Sequence, residues 1–312
     1  MNAILKRDGV FYLYGIMYYD SKTEVFLDGK WIKAKDAKAS LFDQTMHYGT
    51  GVFEGLRSYN NGNGFNIFKP KEHFERLKQS ADKIHLKLPY TVDELIHIAY
   101  ELISRNNLTN AYIRPLVFAG PNMMLSPSNH VHIFMTAWKW AKYPGIEPLN
   151  VMISSYLKPS PKSIPIDAKV IGNYASFTLA TSEAKYLGYD EAILLDHRGF
   201  LAEGPGSNIF YEKGGVLYTP KIGNIFPGIT RKTIIELASE LNVKVIEKDI
   251  KPEELYKADH AFFCGTASEI TAIDSINGEQ FKKDWEDSVG FDLHMMYQQK
   301  VKFDEYQGLT IV

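Results

Sequence analysis

The stretch Asp167-Ala168-Lys169-Val170-Ile171-Gly172-Asn173-Tyr174 sets the frame for the rest of the chain. It puts one lysine in a loop, with helix-breaking Gly172 and Asn173 behind it and a tyrosine five positions on. Residues 175–189 then read as a helix. A lysine at a loop-to-helix junction can enter a pocket instead of pointing to solvent. A buried amine has a lowered pKa, so it serves as nucleophile and base near neutral pH. That is the behaviour of a lysine that bonds a carbonyl carbon covalently. Taken alone, an ordinary surface lysine is the commoner reading, so the weight must come from the company Lys169 keeps.

Upstream of the octet, a Pro/Ser-rich loop over 158–165 follows a strand over 150–156, and residues 138–149 (Trp-Lys-Trp-Ala-Lys-Tyr-Pro-Gly and on) break the pattern as an interdomain linker. Residues 23–137 read as a small α/β domain. Asp28-Gly29 between apolar runs signals a hairpin. Three glycines in His47-Tyr48-Gly49-Thr50-Gly51-Val52-Phe53-Glu54-Gly55-Leu56-Arg57 allow a close backbone approach. A strand over 52–59 would set Phe53, Gly55 and Arg57 on one face. Two helices follow, over 71–86 and 92–105, the second opened by a capping box at Thr91 and Glu94. A strand over 111–119 places Tyr112 and Arg114 side by side, a phenol and a guanidinium suited to a carboxylate. An exposed edge strand is the bland alternative, with which Pro115 is compatible.

Downstream, residues 150–312 read as a larger α/β domain. Glu203 sits between apolar residues and a glycine turn, where a glutamate is often simply exposed. Gly228-Ile229-Thr230 opens a helix and offers N–H groups to an anion such as phosphate; plain capping by Thr230 is the commoner outcome. Gly265-Thr266-Ala267-Ser268 exposes N–H groups that suit a carboxylate. Residues 1–22 read as a docked extension with strand-like alternation.

Composition narrows the classes. The 312 residues carry 35 Lys+Arg against 37 Asp+Glu, a net charge of −2 that favours neither nucleic acid nor a solvating acidic arm. A single cysteine, Cys264, rules out an intramolecular disulfide and fits a reducing, cytoplasmic setting. Neither a membrane span nor a metal site is expected, given no apolar run of some 18 residues and no CxxC. Gly204-Pro205-Gly206 is followed by a strand, so it fails the dinucleotide context.

A lysine amine, a carboxylate, a helix N-terminus and an arginine together are what pyridoxal phosphate requires. The order HYGTGVFEGLR, HFERL, AYIRPL, AKVIGNY, LAEGPGSNIF, PGITR and CGTASEIT, spanning about 23 to 274, resembles the class IV, fold-type IV pyridoxal-phosphate aminotransferases. It is most similar to the branched-chain amino acid aminotransferases. The resemblance implies two mixed α/β domains with the cofactor in the cleft between them. It implies that Lys169 bonds the cofactor and shuttles protons, Glu203 faces its ring nitrogen and Tyr174 its ring oxygen. Arg76, Ile229, Thr230 and Thr266 would hold the phosphate. Tyr112, Thr266 and Ala267 would bind the substrate α-carboxylate, and Arg114 the distal carboxylate of glutamate. Tyr48, Phe53, Trp140 and Tyr143 would shape the apolar pocket, with Arg57 a further substrate-binding candidate. Amino acids and 2-oxo acids would be the substrates, and a homodimer or an oligomer of dimers the assembly, Tyr48 reaching the partner's pocket. An aminodeoxychorismate lyase and a D-amino acid aminotransferase share this fold; Tyr112-x-Arg114 argues against both. A non-catalytic scaffold is opposed by Lys169, Glu203 and Arg76. The extension before 23, the tail from 284, and Ala175 and Phe177 depart from the family pattern.

Overall fold

The computed structural model of the protein describes residues 4–7, 10–13, 18–140 and 148–303. Tyr143 and most of the expected linker therefore lie outside the described residues. A short hairpin, β1 (Ile4–Arg7) and β2 (Val10–Leu13), comes first. The first sheet then takes β3 (Glu24–Leu27), β4 (Lys30–Lys33), β5 (Gly51–Phe53), β6 (Leu56–Asn60), β7 (Phe65–Ile67), β8 (Ala111–Ala119) and β9 (Val131–Lys139). Its order is β4-β3-β9-β8-β6-β7, with β5 also paired to β8, and every pairing is antiparallel. Asp28 and Gly29 at its first turn both have positive φ, as a tight hairpin turn of this type demands.

Helices α1 (Gln44–Tyr48), α2 (Pro70–Lys83) and α3 (Val92–Arg105) belong to this half. The capping box forms: Glu94 N–H donates to Thr91 Oγ1 at 3.2 Å, and Thr91 N–H to Glu94 Oε2 at 2.7 Å. Phe74, Leu77 and Ala81 of α2, and Leu95, Ala99 and Leu102 of α3, recur at helical spacing and are buried against the sheet.

The expected strand over 52–59 is broken at Glu54-Gly55, and the break explains Pro115. β8 is a central strand, not an edge. Proline lacks an N–H for the ladder, so it fits only where pairing is interrupted. β5 pairs with 116–118 and β6 with 111–113, which leaves the gap opposite Pro115. There Glu54 N–H donates to the Pro115 carbonyl at 3.0 Å. Gly55 is required at the same point: a Cβ would lie 1.9 Å from the Tyr112 hydroxyl.

The second sheet is mixed and nine-stranded. It takes β10 (Leu149–Leu157), β11 (Glu191–Leu195), β12 (Leu201–Glu203), β13 (Asn208–Lys213), β14 (Val216–Pro220), β15 (Val245–Lys248), β16 (His260–Gly265), β17 (Glu269–Ile276) and β18 (Glu279–Gln280). Its order is β12-β11-β10-β17-β16-β13-β14-β15, with β18 on β17. β10 runs parallel to β11 and β17, and β14 parallel to β15. Helices α4 (Tyr174–Tyr186), α5 (Ile229–Glu240), α6 (Pro252–Leu255) and α7 (Val289–Phe303) complete this half.

Two packing features join the halves. Tyr59 and Phe68 from the first sheet's side share a core with Phe210, Phe262, Leu293 and Tyr297. The octet itself crosses over: Ala168 and Val170 are buried in the first sheet's core. Val170 bridges Val52, and Phe53 N–H donates to the Lys169 carbonyl at 3.1 Å. Lys169 N–H donates to Ser80 Oγ of α2 at 3.1 Å. The backbone that carries the lysine is thus fixed to one half while α4, which follows it, packs on the other.

Candidate active site

Lys169 is half-buried in a cleft lined by both halves. The cleft mixes polar and apolar side chains around a space open on one side, as small-molecule sites do. The Lys169 ammonium donates to the Tyr174 hydroxyl at 2.7 Å, and its Nζ lies 5.1 Å from the Phe53 ring centre and 4.7 Å from that of Phe226. Desolvation lowers the lysine pKa, opposed by the Glu54 charge and aided by Arg76 and Arg114. Burial raises the Tyr174 pKa, and the Glu203 and Glu54 charges add to it. At neutral pH Tyr174 is therefore a neutral phenol beside an amine that loses its proton easily.

Glu203, at the end of β12, is buried rather than exposed. One carboxylate oxygen pairs with Lys158 Nζ. The other accepts from Asn208 Nδ2 at 3.2 Å and Phe226 N–H at 2.9 Å. Three donors fix both oxygens. Lys158 was not foreseen as part of the site, because its contact is 45 residues away in sequence.

The α5 start corrects the simple capping reading of Thr230. The N-cap residue is Gly228, with no side-chain cap bond, and Thr230 lies buried inside the first turn, hydrogen-bonded with Tyr297. A Cβ on Gly228 would meet Asn208 Oδ1 at 2.0 Å, so glycine there makes room for the side chain that orients Glu203. Ile229 and Thr230 line the cleft together with Arg76 and Thr266.

Arg76 is not free. Its Nε and Nη2 donate to the two oxygens of Glu54 at 2.6 and 2.9 Å, and its Nη1 donates to the Pro227 carbonyl at 3.0 Å. His73 Nδ1 lies 2.8 Å from the same carboxylate. Burial alone would raise the Glu54 pKa, but the Arg76 charge and the His73 hydrogen bond hold it far below the usual carboxylate range. Burial lowers the His73 pKa against the pull of Glu54, so His73 is neutral near pH 7 with its proton on Nδ1. Glu54 stands in plain view inside the motif that carries Phe53, yet its spacing gave no hint of this partnership.

Tyr112 and Arg114 come together as their alternation requires: Arg114 Nη2 donates to the Tyr112 hydroxyl at 3.1 Å. Tyr112 is buried, as a central strand dictates, which removes the exposed-edge reading. The Arg114 guanidinium lies 4.5 Å over Phe53, whose ring is 4.6 Å from that of Tyr174. Among the described residues, Arg114 Nε is buried without a hydrogen-bond partner, a donor that asks for a ligand oxygen. Trp140 packs on Tyr112 at 5.2 Å. Thr266 and Ala267 form the tight turn between β16 and β17, where Gly265 pairs with Glu269.

Phe53, Tyr112, Arg114, Trp140 and Ala267 adjoin the cleft without lining it, and two further expected residues sit elsewhere. Arg57 occupies the predicted face, opposite Tyr112, but its Nη1 is paired with buried Glu269 at 2.7 Å instead of lining the cleft. Tyr48 is exposed on α1, its hydroxyl donating to the Met123 carbonyl at 3.2 Å. Within this chain it does not reach the cleft.

The comparisons with known proteins agree with this fold. The amino-transferase class IV model matches residues 51–276. The branched-chain-amino-acid aminotransferase of Salmonella typhimurium is 41% identical over 264 residues, which are 82% of this chain and 85% of that one. The branched-chain amino acid aminotransferase structure from Escherichia coli superimposes with a TM-score of 0.86 at 36% identity, covering 93% of this chain and 97% of that one. The branched-chain amino acid aminotransferase from Thermobaculum terrenum, in its PLP-bound holo-form, superimposes with a TM-score of 0.85 at 32% identity, covering 91% and 95%. An amine, an oriented carboxylate and a helix start with an arginine line one cleft, the Tyr112–Arg114 pair sits beside it across Phe53, and the chain matches the family over most of its length: this protein belongs to the class IV aminotransferases.

Proposed function

We propose that the protein transfers the amino group of branched-chain L-amino acids to 2-oxoglutarate with pyridoxal phosphate as cofactor. The residues present fit that cofactor. Lys169 supplies an amine beside a phenol, Glu203 an acceptor held at a fixed angle, and Arg76 with the first turn of α5 an anion seat. When bound, pyridoxal phosphate supplies an aldehyde for the amino group and a ring that accepts electrons from the substrate α-carbon. Lys169, partly desolvated, takes the α-proton and holds it for return. Tyr174 stays neutral and steadies that amine. Lys158 and Asn208 keep the Glu203 oxygens aimed, while Phe53 and Trp140 give an apolar side chain a dry wall.

The observation that carries the substrate assignment is the Tyr112–Arg114 pair above Phe53. One pocket must take both an isobutyl and a carboxyethyl group. The phenyl face serves the first, and the unpartnered Arg114 Nε serves the second. The test is a panel of amino donors with 2-oxoglutarate, followed for glutamate. Leucine, isoleucine and valine should react, and Lys169→Ala should lose at least 10²- to about 10⁴-fold in turnover with the fold retained. Release of pyruvate from aminodeoxychorismate, with no glutamate from any branched donor, would select the lyase instead.

We further propose a homodimer formed through exposed apolar side chains on and just before α1 and in the loop between β8 and β9. Leu41, Phe42, Met46, Met123, Met124 and Leu125 are all exposed there, and Gln44 Nε2 ties the two segments by donating to the Met124 carbonyl at 2.7 Å. Large apolar side chains left exposed on two segments tied together in this way mark an interaction surface. It would also give Tyr48 a pocket to enter. Sedimentation showing only a 35.5 kDa species at micromolar concentration would remove this proposal.

A further inference from the structure

Glu54 is fully buried behind Arg76, which lines the cleft, and nothing in the chemistry above needs it. Its carboxylate nevertheless accepts four bonds: two from Arg76, one from His73 Nδ1, and one from Gly55 N–H at 3.2 Å. A guanidinium has five N–H donors. Three of those on Arg76 are engaged, two by Glu54 and one by the Pro227 carbonyl. His73 Nδ1, protonated toward Glu54, cannot accept a fourth, although Arg76 Nη2 is 3.4 Å away. Two donors remain, on a side chain that lines the cleft beside Ile229 and Thr230 at the first turn of α5. The Arg76 guanidinium also rests 4.6 Å over the Phe226 ring, which holds its plane from the side.

We propose that Glu54 is a positioning residue for phosphate-monoester recognition: with His73 behind it, it fixes the plane of Arg76 so that the two remaining donors meet a phosphate at the α5 N-terminus. The assignment rests on the cofactor reading above and deepens it. Two effects oppose each other here. The carboxylate cancels the charge of Arg76 and so weakens its long-range pull on a dianion. It also removes the rotamer freedom that a long side chain must otherwise lose on binding. Bidentate contacts depend on angle, so orientation is the effect we take to dominate.

The experiment titrates the full-length, cofactor-free protein with pyridoxal phosphate and, separately, with pyridoxal, which has the same aldehyde and no phosphate. Wild type should prefer the phosphate ester. Glu54→Gln should lower affinity for pyridoxal phosphate about tenfold and leave pyridoxal unchanged. In an Arg76→Lys background, Glu54→Gln should add no further loss, because its action runs through the guanidinium. Tighter or unchanged binding by Glu54→Gln overturns the proposal, as do equal losses for both ligands or additive losses in the double variant. If Glu54→Gln does not fold, His73→Asn probes the same carboxylate from its other side. It should cut the preference for the phosphate ester by about threefold, and an unaltered preference overturns the proposal. A wild-type protein that binds neither compound sinks the cofactor reading itself, an outcome distinct from any of these.

Discussion

Arg76 and Arg57 each meet a buried carboxylate, but over different spans of chain. Arg76 meets Glu54 22 residues away, inside the first half of the molecule. Arg57 meets Glu269 212 residues away, across the two halves, and Gln298 of α7 binds the same acid. The near pair leaves donors facing the cleft, whereas the far pair ties β6 to the residue that closes the Thr266-Ala267 turn. A motif arginine is therefore not a ligand-binding arginine by default. The carboxylate that reaches it first decides, and whether both partners come from one half decides what the pair is for.

The largest expected effect bears on both pairs alike. Breaking a buried ion pair from one side leaves an uncompensated charge, at about 3–5 kcal/mol. Arg57→Leu strands Glu269 and Arg76→Leu strands Glu54, so urea unfolding of the cofactor-free variants should show losses of that order in each. A loss under about 1 kcal/mol for Arg57→Leu would mean the inter-sheet pair is incidental. The next effect separates them. At a pyridoxal phosphate concentration 100-fold over its dissociation constant, wild type should gain about 2.7 kcal/mol. Arg57→Leu should gain nearly as much, while Arg76→Leu should gain about 1.3 kcal/mol less, for a tenfold weaker site. Equal shortfalls in the two variants would erase the distinction drawn between them.

How far these outcomes could be foreseen depends on range. Lys169 and Tyr174 are five residues apart, and Tyr112 and Arg114 two, so local spacing alone brings each pair together. The hairpin at Asp28-Gly29 and the capping box at Thr91 are equally local, and both formed. Glu54 and Lys158 were missed because their meaning lies in contacts 22 and 45 residues away. Nothing in an apolar-glycine run says which way a glutamate turns. Pro115 kept the edge-strand alternative open for a similar reason: a proline suits an edge until a break in the neighbouring strand is known. Arg57 kept its predicted face and lost its predicted role, since a face is fixed by alternation but a partner is fixed by topology.

The smallest effect, and the most direct probe of the comparison, is the titration of Lys169. Its pKa is below the ordinary 10.5 because burial disfavours the charged form; the Glu54 charge opposes this, and Arg76 and Arg114 add to it. Arg57 is not among these leading influences. In the unfolded chain the amine returns to its ordinary value. Between the two values the unfolded state therefore holds a proton that the native state lacks, and native stability rises with pH across that window. In Lys169→Met the slope disappears. The cofactor-free variant should be more stable than wild type near neutral pH, with the gap closing as pH approaches 10.5. Arg76→Leu removes a like charge and leaves Glu54 unopposed, so its native Lys169 pKa moves up and the window narrows. Arg57→Leu should keep the wild-type slope at lower overall stability. Unfolding curves in urea from pH 7 upward read all four proteins. Parallel curves for wild type and Lys169→Met would mean the amine is an ordinary one, and a slope that flattens in Arg57→Leu as much as in Arg76→Leu would mean both arginines act on the cleft.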